Sequence, residues 1–352
     1  MGQQGESDVL LSLQYLRAIA AGLVVLHHAG QVVETAGNAT PWLKFGFGAS
    51  GVDIFFVISG YIMCRITAGG RDTAWQFFRR RLARVGPAYW IITALVSLAI
   101  IFVPSAFRSS VLTPDLLAAS LAFIAWPHPV RGEAWPVFHI GWTLNYEFFF
   151  YSIFAVALAC ARRHRIAASS AVLLLLVVAG QMLPLNGAVW NFYTHPIILE
   201  FALGMALWEV DRRQMLPRKA LAWLLILAAS AVLIYTEIAV PMSRSSPERA
   251  WLWGVPGFFI ALGALALERQ GAVRNHRLWH LLGDASYSWY LTHFLVLGVL
   301  RGIWSKFALR TALPDPTLIL IGLIVTAIAS ILFYKLVELP ASRWFRRLIL
   351  PK

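Results

Sequence analysis

The sequence predicts an all-α polytopic membrane protein, with about ten transmembrane helices around a central cavity. Its composition is 59% hydrophobic and 13% charged, with a mean hydropathy of +0.67, whereas roughly a quarter of the residues of a soluble domain are charged. The apolar residues fall into runs close to the roughly 20 residues that a helix needs to cross a bilayer. The basic residues are concentrated in alternate loops, which is typical of a chain that crosses a membrane repeatedly.

Each apolar run is bounded by polar or turn-forming residues and predicts one membrane span. The segment 115–126 is apolar but short, and it predicts an interfacial or re-entrant helix. No polar stretch is long enough for a soluble domain, so residues 1–352 are expected to form a single membrane domain. The predicted spans cover residues 11–31, 44–64, 85–104, 138–160, 166–183, 192–210, 219–237, 251–267, 285–304 and 317–338.

The distribution of basic residues predicts the orientation of the chain. Of the 30 lysines and arginines, 20 lie in loops 65–84, 161–165, 211–219 and 268–280 or in the C-terminal tail, and 8 lie in the alternate loops. By the positive-inside rule both termini are therefore expected on the cytoplasmic side. The net charge of +13 falls in these short loops, so membrane lipid is the expected partner and nucleic acid is not.

The longest outer loop, about 105–137, is rich in proline and tryptophan. Such a loop either caps a cavity and stacks on sugar rings or belongs to an interfacial aromatic belt. The two cysteines, Cys64 and Cys160, lie near cytoplasmic span ends, where no disulfide is expected. No metal-ligand spacing is present, so no metal is expected. The loop residues behind this interpretation are Pro104, Pro114, Trp126, Pro127, Pro129, Trp135 and Pro136.

Arg17 and His28 lie eleven residues apart in the first span, in the segment RAIAAGLVVLHH. On a helix this spacing is about three turns, so both side chains share one face roughly 16 Å apart. His27 points about 80° away and is expected to pack or bond structurally. Because ionisable groups inside a membrane are costly and usually functional, the pair indicates a site that holds an anion at one end and performs proton chemistry at the other.

Four further ionisable groups fall well inside predicted spans: Asp53, Glu147, Glu200 and His293. Glu147 and His293 lie about nine residues into their spans, roughly 14 Å deep and near the bilayer midplane. If these ionisable side chains face one water-filled cavity, they are hydrated there, and the energetic cost of placing them inside the membrane is reduced for all of them. The alternative for each is a polar contact that only joins neighbouring helices. Tyr290, one turn before His293, either lines a passage or belongs to a packed face.

Four arginines, Arg79, Arg80, Arg81 and Arg84, precede the third span in FFRRRLARVGPAYW. They serve either as topology anchors or as a site for phosphate groups, which guanidinium forks suit. Pro87 is expected in the first turn of the following helix. The glycines around Asp53 are expected to permit close helix packing rather than to bind phosphate. These glycines are Gly46, Gly48, Gly51 and Gly60.

Seven segments in order resemble the acyltransferase-3 family, integral membrane enzymes that O-acylate cell-surface polysaccharides, and most closely its ExoZ-type exopolysaccharide acetyltransferase branch. The family's arginine–histidine spacing falls on Arg17 and His28, and its W-S-L…E motif falls on Trp142, Thr143, Leu144 and Glu147, with threonine in place of serine. The segments are LQYLRAIAAGLVVLHH, GVDIFFVISGYIM, FFRRRLARVGPAYW, WTLNYEFFFY, LEFALGM, LGDASYSWYLTHF and YKLVELP.

The resemblance implies an enzyme of the bacterial inner membrane that moves an acyl group, acetyl by family frequency, from cytosolic acyl-CoA to a sugar hydroxyl outside. It implies that the phosphates of acyl-CoA bind Arg79 and Arg81, the favoured pair, together with Arg80 and Arg84, with Arg17 as a deeper anchor. His28 acts as general base or transient acyl acceptor, and Glu147 or Asp53 orients its ring. The expected lining of the acceptor side comprises Trp142, Thr143, Glu200, Tyr290 and His293.

The implied acceptor is a polysaccharide or a lipid-linked oligosaccharide, handled together with separate polysaccharide-assembly proteins. No tightly bound cofactor is expected, since acetyl-CoA is a substrate. The main alternative is a proton-coupled transporter or polysaccharide exporter, which also uses midplane acids and histidines. The absence of repeated halves counts against a transporter. A purely structural membrane subunit is a third alternative, which the number of buried ionisable groups disfavours.

Overall fold

The computed structural model describes residues 10–34, 45–70, 72–103, 111–183, 185–240, 242–243 and 245–350. The described residues are 81% helical and contain no β-strand. The predicted class, an all-α polytopic membrane protein, is therefore confirmed. Pro104 and the start of the long outer loop lie outside the described residues.

Fifteen α-helices are present in the described part of the chain, together with four short 3₁₀ segments. Two π-helical turns, Ala250–Gly254 and Tyr334–Glu338, immediately precede α10 and α15. The α-helices are α1 Leu11–Glu34, α2 Gly51–Thr67, α3 Ala74–Phe102, α4 Pro114–Leu121, α5 Trp142–Cys160, α6 Arg165–Met182, α7 Ala188–Tyr193, α8 Leu199–Arg212, α9 Lys219–Ala239, α10 Val255–Arg269, α11 Arg277–Asp284, α12 Ser286–Lys306, α13 Leu309–Ala312, α14 Asp315–Phe333 and α15 Leu339–Ile349.

Eight helical segments of the described chain are long and apolar enough to cross a membrane. The predicted spans 192–210 and 285–304 correspond to α8, which has 14 residues, and to α12, which is less apolar. The number of ten spans and the cytoplasmic position of both termini remain predictions. The helices differ in how much of them is buried. In the apolar window of segment Gly46–Thr67, 78% of the residues are buried, whereas in that of segment Arg162–Met182 only 17% are. The α2 helix is therefore central, whereas α6 is peripheral.

The first helix, α1, is held at its N-terminus by a residue near the end of α10. The backbone N–H groups of Leu11 and Ser12 donate to the two carboxylate oxygens of Glu268 at 2.8 and 3.0 Å. The free N–H groups at the start of a helix need such acceptors, and a negative charge there is favourable. The α1 helix packs against α2, α10, α11, α12 and α14, so it occupies the middle of the bundle.

Glycines let α2 approach both of its neighbours closely. A Cβ on Gly51 would lie 2.2 Å from the carbonyl oxygen of Ala20 in α1, and one on Gly60 would lie 2.2 Å from that of Phe201 in α8. From the other side, a Cβ on Gly204 would lie 2.0 Å from the carbonyl oxygen of Val57. The packing role expected for Gly48, Gly51 and Gly60 is thus confirmed.

The third helix is longer than predicted. It begins at Ala74 behind a capping box formed by Thr73 and Gln76, so Pro87 lies in the helix interior and not in its first turn. The expectation for Pro87 was wrong because the cap lies well before the apolar run. As a consequence, the arginines 79–84 and the membrane-embedded residues belong to one continuous helix.

The short segment after α3 forms the helix α4. It ends at Leu121, whose carbonyl accepts a hydrogen bond from the indole of Trp90 at 2.8 Å. Trp90 lies twelve residues before the end of α3, about 18 Å along the helix. Behind α4, the ring of Phe123 stacks on Phe148 of α5 with centroids 3.7 Å apart. These contacts favour the re-entrant interpretation of segment 115–126.

Candidate active site

An inner chamber of about 210 Å³ lies between α1, α2, α3, α5 and α12. Its volume is that of about seven water molecules in the liquid. Three arginines, one carboxylate and several hydroxyl groups face it. The polar lining residues are Arg17, Ser59, Arg81, Arg84, Thr143, Glu147, Tyr151, Tyr287 and Tyr290.

Only two arginines of the α3 cluster face this chamber. Arg81 and Arg84 lie one helical turn apart and line it together with Arg17. The guanidinium of Arg79 lies over the ring of Trp75 instead, and Arg80 forms an exposed ion pair with Asp72 at 2.9 Å. The structure therefore groups Arg81 with Arg84, not with Arg79, because helical residues two apart point about 160° away from each other, whereas residues three apart differ by only about 60°.

The side chains of Arg81 and Arg84 differ in their partners. Arg84 forms an ion pair with Glu338 in the π-helical turn before α15, and the hydroxyl of Ser288 donates to the same carboxylate at 2.5 Å. The Nε atom of Arg81 is buried and has no hydrogen-bond partner in the described part of the chain. A buried guanidinium donor without a partner can bind an anion in the chamber.

Glu147 belongs to the inner chamber and does not contact His28. Its carboxylate accepts hydrogen bonds from the hydroxyls of Tyr151 and of Ser59, the latter at 3.1 Å. Its electrostatic neighbours are Arg81 and Arg17. The expected role of orienting the His28 ring is thus not supported, since α5 directs this carboxylate towards the arginines.

A larger outer chamber of about 1360 Å³ lies on the far side of the same helices. It is lined by part of the proline- and tryptophan-rich loop, which favours the interpretation of that loop as a cap. The polar and aromatic lining residues are His27, His28, Gln31, His128, Arg131, Trp135, His139, Trp142, Ser243, Arg249, Trp253, Tyr290, Phe294, Arg301 and Ser305.

A chain of hydrogen bonds determines which nitrogen of His28 carries a proton. The carbonyl of Phe45 only accepts, so Nδ1 of His27 donates to it at 3.2 Å and Nε2 of His27 must accept. The amide nitrogen of Gln31 donates to that Nε2 at 3.1 Å, and its oxygen accepts from Nδ1 of His28 at 2.9 Å. The Nε2 atom of His28 therefore carries the lone pair, on a side chain that lines the outer chamber.

His293 lies behind His28 and does not line either chamber. The two imidazole rings stack with centroids 5.1 Å apart. Nδ1 of His293 bonds the carbonyl of Trp289 at 3.1 Å, and its buried Nε2 has no hydrogen-bond partner in the described part of the chain. Of the two midplane residues predicted to share a cavity, His293 thus supports the His28 ring, while Glu147 faces the inner chamber.

The two chambers share the lining residues Val52 and Tyr290. The hydroxyl of Thr143 donates to the oxygen of Tyr290 at 2.9 Å, and the hydroxyl of Tyr290 donates to the carbonyl of Ile140 at 3.0 Å. These bonds fix the Tyr290 ring in place. We call Val52 and Tyr290 the partition. Arg17 lies on its inner side and His28 on its outer side.

Asp53 is bound by an arginine that the sequence analysis did not single out. Arg249, just before α10, donates two hydrogen bonds to its carboxylate at 2.9 and 2.7 Å. Both side chains are almost fully buried, with 3% and 0% exposed. Asp53 therefore does not orient His28, because its oxygens are already occupied by this pair.

Glu200 and Trp142 occupy different positions around this ion pair. Glu200 is fully buried, lines neither chamber, and lies beside the carboxylate of Asp53, to which it can donate a hydrogen bond when it carries a proton. It lies against Gly254, where a Cβ would be 2.9 Å from its Oε1. The ring of Trp142 lines the outer chamber with the guanidinium of Arg249 5.7 Å from its centroid. Of the residues expected to line the acceptor side, Trp142 and Tyr290 thus line the outer chamber, whereas Thr143, Glu200 and His293 do not.

The comparison with protein families covers nearly all of the chain. The acyltransferase 3 family, described as an acyltransferase domain, matches residues 10–335. The chain belongs to this acyltransferase 3 family. It is a membrane O-acyltransferase.

Relatives of this acyltransferase cover most of its length. The exopolysaccharide production protein ExoZ of Rhizobium meliloti strain 1021 is 34% identical over 300 residues, 85% of this chain and 91% of ExoZ. BcsY of Komagataeibacter xylinus is 31% identical over 79% of this chain and 70% of its own. The acyltransferase MdmB of Streptomyces mycarofaciens is 27% identical over 82% of this chain and 79% of its own. No solved structure matches.

Within the acyltransferase, several site residues escaped the sequence analysis. Gln31 was detectable, since it lies three residues after His28 on the same helix. Arg249 and Glu338 were not, because each pairs with a residue far away in sequence. The described residues contain no cluster of three or more side chains suited to bind a metal ion.

Proposed function

We propose that this acyltransferase moves an acyl group, acetyl in the simplest case, from cytosolic acyl-CoA to a hydroxyl of an exported or cell-surface polysaccharide. The reaction is proposed to cross the inner membrane of a bacterium, with the donor inside and the acceptor outside. The observation that supports this most is the position of Arg17 and His28 on one helix, in the inner and the outer chamber respectively. The relative ExoZ is named as an exopolysaccharide production protein, which supports a polysaccharide acceptor.

The inner chamber suits the reactive end of acyl-CoA. At about 210 Å³ it is smaller than the roughly 300–1,000 Å³ of sites that enclose drug-sized ligands. The acyl group and the end of the pantetheine arm fit such a volume, whereas the nucleotide stays at the cytoplasmic mouth. There Arg79 of the α3 cluster supplies a guanidinium group for its phosphates. No tightly bound cofactor takes part.

The transfer takes place beside the partition. The acceptor hydroxyl approaches from the outer chamber and gives its proton to Nε2 of His28, the nitrogen that carries the lone pair. As the new O–C bond forms at the thioester carbonyl, the C–S bond breaks and its electron pair leaves with the sulfur of CoA. His28 therefore acts as the general base, and the Gln31 amide holds its ring.

The leaving thiolate develops its charge in the inner chamber. Arg17 and Arg81 line that chamber, and preorganised cations stabilise a charge that appears in the transition state. Glu147 lies between these groups and balances their charge before the donor binds. In this proposal Glu147 positions the arginines and the donor, not the imidazole.

The acceptor occupies the outer chamber. A volume of about 1360 Å³ accommodates several sugar units of a polysaccharide or of a lipid-linked oligosaccharide. Trp135 offers a flat apolar ring against which a sugar ring packs, whereas Trp142 and Trp253 are largely buried and have the guanidinium of Arg249 over their rings. Polysaccharide-assembly proteins deliver such an acceptor in this proposal, and nucleic acid has no role.

The replacement His28→Ala tests this function. With acetyl-CoA as donor, we expect O-acetylation of the surface polysaccharide to fall at least on the order of 100-fold, because a general base contributes about 10²–10⁴-fold. Acetyl-CoA binding by the purified protein should be unchanged. The matched control is His164→Ala, since His164 is exposed in the cytoplasmic-side turn before α6.

Normal polysaccharide acetylation in the His28→Ala protein, inserted at wild-type level, would refute the catalytic assignment. Uptake of solute into vesicles without any acyl-CoA would instead favour the transporter alternative. Mass analysis of the polysaccharide from cells with and without the gene identifies the acyl group.

A further inference from the structure

The outer chamber is lined by cations and aromatic rings. Three arginines, four histidines and three tryptophans face it, and no carboxylate is among its described lining residues. The charge of Arg249 is balanced by Asp53. Arg131 and Arg301, by contrast, have no ion pair in the described part of the chain. The lining side chains therefore carry a net positive charge, with the carboxylate of Glu133 nearby, where it accepts a hydrogen bond from the Trp135 indole at 3.1 Å.

The charged hydrogen-bonding groups of the chamber are all donors, whereas its acceptors, such as Nε2 of His28 and the hydroxyls of Ser243 and Ser305, are neutral. A neutral sugar presents hydroxyl groups that both donate and accept, so it does not require cations without an ion pair in its site. Here the only side-chain amide among the described lining residues is that of Gln31, and it is already bonded to both His27 and His28. Arginine donates and never accepts, so it suits a group that only accepts, namely a carboxylate or a phosphate.

We propose that the acceptor is an anionic glycan whose carboxylate or phosphate binds Arg131 and Arg301 in the outer chamber. The proposal rests on the proposed function, because it takes the outer chamber as the acceptor site. Two sources carry this chemistry, namely an acidic sugar within the glycan and the diphosphate of a lipid-linked precursor.

The two arginines fix where the negative charge lies. Arg301 follows His293, the residue stacked on His28, by eight positions on α12, which is about 12 Å along the helix axis. Arg131 lies on the capping loop with its guanidinium 5.5 Å from the centroid of Trp135. A sugar stacked on Trp135 is thus within reach of Arg131. The charged group therefore belongs to a unit other than the acylated one.

His128 lies on the proline- and tryptophan-rich loop that lines the outer chamber, and it does not add to the positive charge there. Burial, and after it the positive charge of Arg131, lower the pKa of His128 below its ordinary value. His128 thus stays neutral near pH 7. It adds no charge of its own beside Arg131, so the anion is bound by the arginines.

The test measures binding, so that it does not depend on acyl transfer. The His28→Ala protein is reconstituted in lipid nanodiscs and titrated with three probes. These are a tetrasaccharide with one glucuronic acid, its carboxyl-reduced neutral counterpart, and the neutral tetrasaccharide linked to undecaprenyl diphosphate. We expect at least one anionic probe to bind on the order of tenfold more tightly than the neutral one, with the difference decreasing at high salt.

The same titrations on the double variant Arg131→Gln and Arg301→Gln should remove this preference, bringing the affinity ratio close to one. Arg131→Lys with Arg301→Lys should restore part of it. The matched control is Arg163→Gln on the opposite side of the membrane, which should keep the full preference. Acetyl-CoA binding verifies that each variant is folded, because the donor site lies in the other chamber.

A neutral probe that binds as tightly as both anionic probes would overturn the proposal, as would a double variant that retains the preference. The anionic probe that binds more tightly identifies the source of the charge. An intact preference without any acyl transfer in the His28-containing protein would overturn the proposed function alone. Transfer to a neutral acceptor with no preference would overturn this inference alone.

Discussion

The Nδ1 atom of His28 lies 2.9 Å from the side-chain oxygen of Gln31, one helical turn further along α1. The same amide donates to His27, which in turn donates to the carbonyl of Phe45. Because that carbonyl can only accept, the direction of every bond in the series is determined. A backbone group between α1 and α2 thus sets the basic nitrogen of His28.

Gln31→Leu should lower kcat by about ten- to a hundred-fold and leave the KM for acetyl-CoA unchanged. Leucine removes the acceptor that holds the His28 proton on Nδ1, so the ring loses its orientation and part of the general-base contribution. Gln31→Glu keeps an acceptor oxygen and should recover part of the lost kcat. The measurement is steady-state acetylation by reconstituted protein. Equal losses in the two variants would mean that Gln31 only packs.

Arg81→Gln should weaken acetyl-CoA binding by roughly tenfold or more, since a hydrogen bond to a charged group contributes about 1.5–3 kcal/mol. Arg80→Gln is the matched control, because Arg80 is the adjacent residue but pairs with Asp72 outside the chamber. Its effect on binding should be less than twofold. Calorimetric titration in nanodiscs measures both. Comparable losses from both variants would favour a diffuse basic patch over a built site.

Asp53→Asn should destabilise the protein by about 3–5 kcal/mol, the usual effect of leaving one member of a buried ion pair without its partner. Glu200→Gln should change stability far less, because the glutamine amide can still donate a hydrogen bond to the Asp53 carboxylate beside it. Thermal unfolding in detergent, followed by tryptophan fluorescence, compares them. A melting temperature lowered equally by both changes would contradict this assignment.

Gly204→Ala should destabilise the protein by about 1–3 kcal/mol through overpacking. Its added methyl would lie 2.0 Å from a backbone oxygen of α2, and a backbone atom cannot rotate away. Gly69→Ala is the control, since nothing lies within 4 Å of the corresponding Cβ. The same unfolding assay applies, and a stable Gly204→Ala protein would show that α2 and α8 can separate.

The sequence was sufficient to predict the all-α membrane class and the placement of Arg17 and His28 along one helix. Hydropathy predicted most helices, and helical register placed Arg17 and His28 on one face, in agreement with their positions on either side of the partition. Such inferences depend only on neighbours within one helix. The directions of the α3 arginines also follow from helical register. They could be predicted only in part, because the predicted span begins at residue 85, whereas α3 begins at Ala74.

The partners of the buried acids were beyond sequence reasoning. Asp53 meets Arg249 and Arg84 meets Glu338 across helices that are adjacent only in the folded bundle. One sequence contains no information about the register between such helices. The sequence therefore predicts Glu147 or Asp53 as the residue that orients His28. In the fold, Glu147 instead lies near Arg81 and Arg17, and Asp53 pairs with Arg249.

Val52 and Tyr290 also have a consequence for the cell's energy supply. Two water-accessible chambers that met end to end would form a leak for protons down the electrochemical gradient. At about 2.3 kcal/mol for each elementary charge and 100 mV, such a leak would dissipate the gradient that drives ATP synthesis. A tyrosine ring held by two hydrogen bonds and the valine that lines both chambers with it insulate the membrane against such a leak.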